Sequence, residues 1–203
     1  MKLLGMLDSP YVRRIAISLD LLGVEFEHAP LSVFSQFDAF AAINPVVKAP
    51  TLVLDDGTVL MDSSLIIDYL EATHAGDHGL WPRQPQALAS ALHVTGLALA
   101  ACEKAVQLVY ERKLRPADKQ HQPWIDRVTG QLVAACRALD RQLASAPQAS
   151  GERPDQAALS TAVAGSFIEL MLPDLIRLED YPVLHAHTQR LEQTELFKRY
   201  PLV

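Results

Sequence analysis

Residues 3–29 read LLGMLDSPYVRRIAISLDLLGVEFEHA, and this stretch decides how the chain begins to fold. Leu3 to Leu7 is a short apolar run of the kind that makes a buried strand. Pro10 opens a helical pattern in which Val12, Ile15, Ala16, Leu19 and Leu22 recur at helix spacing. Ser9 suits the N-cap of that helix, Pro10 its first turn and Gly23 its stop. Val24, Phe26 and His28 then alternate with Glu25, Glu27 and Ala29, the period-two pattern of a second strand. A right-handed crossover through the helix makes the two strands parallel.

Further along, Phe34, Phe37, Phe40 and Ile43 are spaced by threes, which predicts a short irregular helix within Leu31–Asn44. Two runs, Thr51-Leu-Val-Leu and Thr58-Val-Leu-Met, flank Asp55-Asp56-Gly57 and predict a hairpin. Ser63 is expected to cap a following helix with Leu65, Ile66, Tyr69 and Leu70 facing inward. Ala75 to Pro85, punctuated by glycine and proline, reads as a linker. Beyond it no strand pattern appears. Helices are expected over 86–114, 123–146, Asp155–Leu172 and Pro182–Leu196, with a polar loop at Pro147–Pro154.

With 203 residues, 49% hydrophobic and 21% charged, the chain suits one large globular domain or two small ones. A net charge of −6 gives it no attraction for phosphate backbones, and the basic group Arg112, Lys113, Arg115 and Lys119 reads as a solvated helix end. Cys102 and Cys136 sit in apolar helical surroundings and form no Cys-x-x-Cys, which suggests buried reduced thiols and a reducing compartment. The N-terminal apolar run is too short for a secretory signal. The apolar stretch Ala87–Cys102 falls short of the ~20 residues a bilayer span needs. A cytoplasmic protein with no membrane and no nucleic-acid partner is expected. His185 and His187 share no helix face, Gly76 separates His74 from His78, and there is no His-Glu-x-x-His, so no metal site is expected.

Three loops carry chemistry-bearing residues. Ser9-Pro10-Tyr11 lies where the first strand meets the first helix, a usual ligand position in α/β folds and one with positive helix-end potential. Ala49-Pro50-Thr51 precedes the hairpin, and a cis bond there would turn the backbone of Ala49 outward. Asp62-Ser63 opens the next helix, where free N–H groups and a hydroxyl suit a carboxylate and Asp62 suits an ammonium. Taken singly, each loop has a bland explanation that weighs more: a cap, a trans proline, a cap. Together they fall at one end of one small sheet.

In LDSPYVRRIAISLDLLGVEFEH and NPVVKAPTLVLDDGTVLMDSSLIIDYLE the chain resembles the glutathione transferases of the bacterial serine type. The resemblance is strong over residues 1–72 and weaker beyond, through the linker LWP and the all-helical pattern. It implies an α/β plus all-α protein: a thioredoxin-like glutathione-binding domain with a four-stranded mixed sheet over residues 1–76, then an all-helical domain over 84–203 contributing the electrophile pocket and dimer contacts. It implies Ser9 as the activating hydroxyl and Ala49 and Pro50 as partners of the cysteinyl backbone. Asp62 and Ser63 would hold the γ-glutamyl end, with Lys48 nearby. Glutathione and a small hydrophobic electrophile would be the ligands of a homodimer that needs no cofactor, glutathione being a substrate. Fold geometry suggests the electrophile near Tyr11 and Tyr110.

Ala49 stands where valine is commoner in the family. Pro10, rather than cysteine, follows Ser9, which argues against the thiol-transfer branches. Asp155-Gln-Ala-Ala keeps a helix cap but lacks the family's later aspartate, which bears on local stability. The expected activity is conjugation of glutathione to small apolar electrophiles. The alternatives are a non-catalytic adaptor in stress response, or another glutathione chemistry such as peroxide reduction, dehalogenation or isomerisation. The intact set Ser9, Pro50 and Asp62-Ser63 favours an enzyme over an adaptor.

Overall fold

A computed structural model describes residues 1–145 and 153–202, so residues 147–152 of the expected polar loop lie outside it. The chain forms two compact units, Met1–Trp81 with Glu195–Val203, and Pro82–Thr194.

The first unit is built on a four-stranded sheet in the order β2-β1-β3-β4. The strands are β1 (Lys2–Leu4), β2 (Glu27–Ala29), β3 (Thr51–Val53) and β4 (Val59–Met61). β1 runs parallel to β2 and antiparallel to β3, and β3 pairs antiparallel with β4. The sheet is therefore mixed, as expected. Helix α1 (Pro10–Leu21) supplies the crossover, and Gly23 ends it at φ +68°. The turn at Asp56-Gly57 closes the hairpin: Leu54 N–H donates to Thr58 O, and Thr58 N–H to the Asp56 carboxylate. Of the phenylalanine series only Phe40 is buried, in the short helix α2 (Phe37–Ala41), while Phe34 and Phe37 are exposed.

Helix α3 (Ser63–His74) buries Ser63, Ile66, Ile67 and Leu70, with Tyr69 partly buried against the same core. Leu65, expected inward, is 63% exposed. The buried set follows the i, i+3, i+4, i+7 stripe from residue 63, and position 65 lies off it. The core joins Leu3, Val12, Ile15, Leu19, Leu52, Ile66 and Leu70 between sheet and helices. Glu71 ends the unit: its carboxylate accepts the Leu80 N–H at 2.7 Å, and Trp81 packs on the core.

The chain returns to this unit at its far end. The helix expected over Pro182–Leu196 is two pieces, α7 (Pro182–Glu192) and α8 (Glu195–Lys198), and α8 belongs to the first unit. Arg13, fully buried in α1, explains the return. It donates to Tyr200 O at 2.7 Å and lies 5.1 Å from the Phe197 ring centroid, while Asp20 accepts from Tyr200 Oη at 2.9 Å.

In the second unit α4 (Pro85–Val109), α5 (Gln122–Ser145), α6 (Gln156–Met171) and α7 pack as an all-helical bundle. α4 continues through a π-helical turn, Tyr110–Leu114, closed by Arg115 N–H donating to Tyr110 O. The complete helix Pro85–Leu114 is 30 residues, long and apolar enough by length and composition to cross a bilayer. The length argument that sets Ala87–Cys102 aside therefore fails for the whole helix. One face of α4, with Ala91, Ala98, Ala101 and Ala105, is buried, and α4 packs on α5 and α6. Asp155 caps α6 through the Ala158 N–H at 2.8 Å, so the cap is present without the later aspartate. Cys102 and Cys136 are buried and form no disulfide among the described residues, and burial pushes the Cys136 thiol up to about 12.

Candidate active site

The last row of the sheet fixes the geometry. Leu4 pairs with Ala29 on one side and Thr51 on the other, and Thr51 pairs with Met61. The loop leaving β1, the loop entering β3 and the loop leaving β4 therefore emerge from the same edge. Ser9, Ala49-Pro50 and Asp62-Ser63 lie on these three loops or just beyond them.

Ser9 is the N-cap of α1, but its Oγ accepts from Val12 N–H at 3.5 Å, the limit of a hydrogen bond. Its hydroxyl hydrogen has no acceptor among the described residues. Just before it, Asp8 is half-buried, and desolvation holds its carboxyl above the usual range while hydrogen bonds from the Ser9 and Asp8 backbone pull it down. A carboxylate here opposes an anion beside Ser9.

The Ala49–Pro50 bond is cis. Buried Asn44 donates from Nδ2 to Thr51 Oγ1 at 2.8 Å, and Thr51 Oγ1 donates to Lys48 O at 2.7 Å. Among the described residues neither the N–H nor the C=O of Ala49 has a partner. Lys48 is exposed and its ammonium makes no ion pair among the described residues.

The cap of α3 is Asp62, not Ser63 as expected. The Asp62 carboxylate accepts from Ser64 N–H at 2.9 Å, and Ser63 is the first helical residue. A β-strand leads directly into this helix, and Asp62 makes the turn at φ 72°, a conformation that L-residues resist and that marks ligand clamps and switches. Ser63 is 4% exposed, and its Oγ accepts from Arg14 Nη1 at 3.1 Å.

In the second unit the π-helical turn borders a pocket of about 410 Å³ lined by Gln107, Tyr110, Glu111, Leu114, Arg115 and Trp124. Tyr110, Leu114 and Trp124 are large exposed apolar side chains. Buried Glu111 shapes the wall, accepting from Arg115 Nε at 2.8 Å and His121 N–H at 2.9 Å. π-helical turns often mark functional sites. Tyr110 lines this pocket, whereas Tyr11 lies on the first turn of α1 in the first unit. Trp124 and Glu111 escape a sequence reading because the pocket joins α5 to the end of α4, and no local spacing links them. Elsewhere in this unit Glu169, Glu179 and His185 bring one ligand-type atom each within 4.8 Å of one another, although they are far apart in sequence.

Comparison with known proteins agrees with both units. Residues 3–78 match the model of the glutathione S-transferase N-terminal domain, and residues 122–190 match that of the C-terminal domain. The chain belongs to the glutathione S-transferase family. Among the family's members it is 30% identical over 140 residues to the uncharacterized GST-like protein YibF of Escherichia coli K12, covering 69% of this chain and 67% of that one. It superposes with a TM-score of 0.82 and 31% identity on a glutathione transferase family member from Pseudomonas fluorescens Pf-5 with bound glutathione, covering 98% of this chain and 97% of that one. A glutathione S-transferase from Methylobacillus flagellatus KT with bound glutathione gives a TM-score of 0.88 at 25% identity, over 100% and 99% of the two chains. Family membership accounts for the mixed sheet and the helical unit that follows it.

Proposed function

We propose that this chain is a glutathione transferase that conjugates the glutathione thiolate to small apolar electrophiles. The observation that carries the reading is the unpartnered main chain of Ala49, at the same sheet edge as the Ser9 hydroxyl and the N-terminus of α3. A tripeptide fits this arrangement. Its cysteinyl backbone pairs with Ala49 beside Pro50, its γ-glutamyl end meets Asp62 and the Ser63 N–H, and Lys48 offers a cation to a carboxylate. Relatives with this fold hold glutathione.

A thiol with a pKa of ~8.5 is about 3% thiolate at pH 7. Lowering the pKa by about 2 units takes about 2.7 kcal/mol of preferential stabilisation. A hydrogen bond from the free Ser9 O–H to the sulfur supplies ~1.5–3 kcal/mol, and the α1 N-terminus adds ~0.3–1 kcal/mol. The thiol proton leaves to solvent. The sulfur lone pair then forms the C–S bond, and the leaving group departs with its electron pair. A cytoplasmic homodimer completes the reading, the first part resting on the buried reduced thiols.

The test is a titration of bound glutathione read by thiolate ultraviolet absorbance. The expected result is an apparent thiol pKa below about 7. A bound thiol that titrates like the free one sinks the reading.

A further inference from the structure

α1 carries two adjacent arginines in an otherwise apolar run, and both are buried: Arg13 is 0% and Arg14 2% exposed. Arg13 holds the C-terminal segment. Arg14 instead turns toward the first turn of α3, donating from Nη1 to Ser63 Oγ at 3.1 Å and to Ser64 Oγ at 3.4 Å.

A guanidinium stays protonated when buried, and burial weakens the screening of its charge. One nitrogen of it, Nη1, reaches both hydroxyls and fixes them as acceptors. It stands behind a helix N-terminus whose Ser63 N–H has no partner among the described residues. The two positive contributions lie at one place, and the hydroxyl between them is held as an acceptor from Arg14, which leaves the Ser63 O–H to donate away from it.

We propose that Arg14 is a positioning residue of the proposed glutathione site, orienting the Ser63 hydroxyl and supplying the buried charge that selects the α-carboxylate of the γ-glutamyl group. This rests on the glutathione reading above and adds to it a specificity determinant that touches no ligand. The carboxylate hydrogen-bonds to the N–H and O–H of Ser63, and Arg14 acts through Ser63.

The experiment measures equilibrium binding by calorimetry to the full chain, using glutathione and an analogue with only its γ-glutamyl α-carboxylate amidated. The variants are Arg14→Gln and Arg14→Lys, with thermal unfolding as a check on folding. In the wild type, amidation is expected to weaken binding by about ten- to a hundredfold, the value of a hydrogen bond to a charged group. Arg14→Gln is expected to weaken glutathione binding by a similar factor while leaving the amidated analogue within about threefold. Arg14→Lys, which keeps the charge but not the fork, is expected to fall between. Equal weakening of both ligands overturns the proposal, because a purely structural loss ignores the carboxylate. So does a Gln variant that keeps the full amidation penalty. If neither variant folds, Arg14 belongs to the fold alone and the proposal is wrong. A wild-type chain that does not bind glutathione overturns the site itself, whatever the Arg14 variants do.

Discussion

Asn44 and Thr51, both buried and seven residues apart, are joined by a 2.8 Å hydrogen bond from amide to hydroxyl, and the Thr51 O–H in turn donates to the Lys48 carbonyl. The loop carrying Lys48, Ala49 and Pro50 is thus tied at both ends to one buried pair. Thr51→Val keeps the shape, removes both bonds and takes from the Asn44 amide its Thr51 acceptor. It should cost about 1–3 kcal/mol of stability and weaken glutathione binding. Urea unfolding with a parallel binding titration checks this, and unchanged affinity would detach the loop's order from the ligand.

Gly5 leaves β1 at φ +132°, where a Cβ would lie 2.5 Å from Val12 Cγ2 and 3.1 Å from Ala49 Cβ. Backbone freedom and close approach are both required here. Gly5→Ala should lower stability by about 1–3 kcal/mol. Adding Val12→Ala relieves the nearest contact but not the dihedral, so thermal melts of the double variant should recover only part of the loss.

How far the sequence reading reached can be seen in particular residues. Pro10 after Ser9, Gly23 and Asp56-Gly57 mark α1 and the hairpin because caps and turns are local chemistry. The three candidate loops are legible for the same reason: each sits at an element boundary. Leu65 misleads because a helical stripe displaced by one position still contains Ile66 and Leu70. Arg13 and Arg14 look like surface charge, and only partners more than 45 residues away explain their burial. The split of α7 from α8 is hidden similarly, since the pull on residues 195–200 comes from α1. Trp124 joins Tyr110 only once α4 and α5 are packed.

His187 gives the helical unit a pH dependence. Its Nε2 lies 2.9 Å from Ala158 O in the first turn of α6, and burial pushes its pKa down. The carbonyl can only accept, so Nε2 carries a proton, and burial favours the neutral ring over the charged one. Between the lowered native pKa and the unfolded value of ~6.5, the unfolded chain binds more protons than the native one. Stability should be complete above that range, decline as the pH drops through it, and level off below the native pKa. His187→Gln retains an N–H donor without titrating and should flatten this part of a urea-midpoint-against-pH curve. An identical decline in both proteins would assign it to other groups.

The proposed chemistry turns on the Ser9 hydroxyl. Removing a hydroxyl that stabilises the thiolate should raise the pKa of bound glutathione by about 1–2 units, since a hydrogen bond to a charged group is worth ~1.5–3 kcal/mol. Ser9→Ala should therefore lower conjugation at pH 7 by about ten- to a hundredfold if thiolate formation limits the rate. Part of the loss should return at higher pH, where the thiol ionises unaided. Glutathione affinity should change less, because in the proposed site Ala49, Asp62 and Ser63 hold the rest of the molecule. The cap contact to Val12 N–H is at 3.5 Å, so losing it should cost stability at the low end of the ~0.5–2 kcal/mol range for caps. Ser9→Gly is the sharper control, because glycine is a tolerable cap without a hydroxyl. If Ser9→Gly leaves both the bound thiol pKa and the turnover unchanged, Ser9 is a cap alone, and Tyr11 in the first turn of α1 is the first group to test in its place.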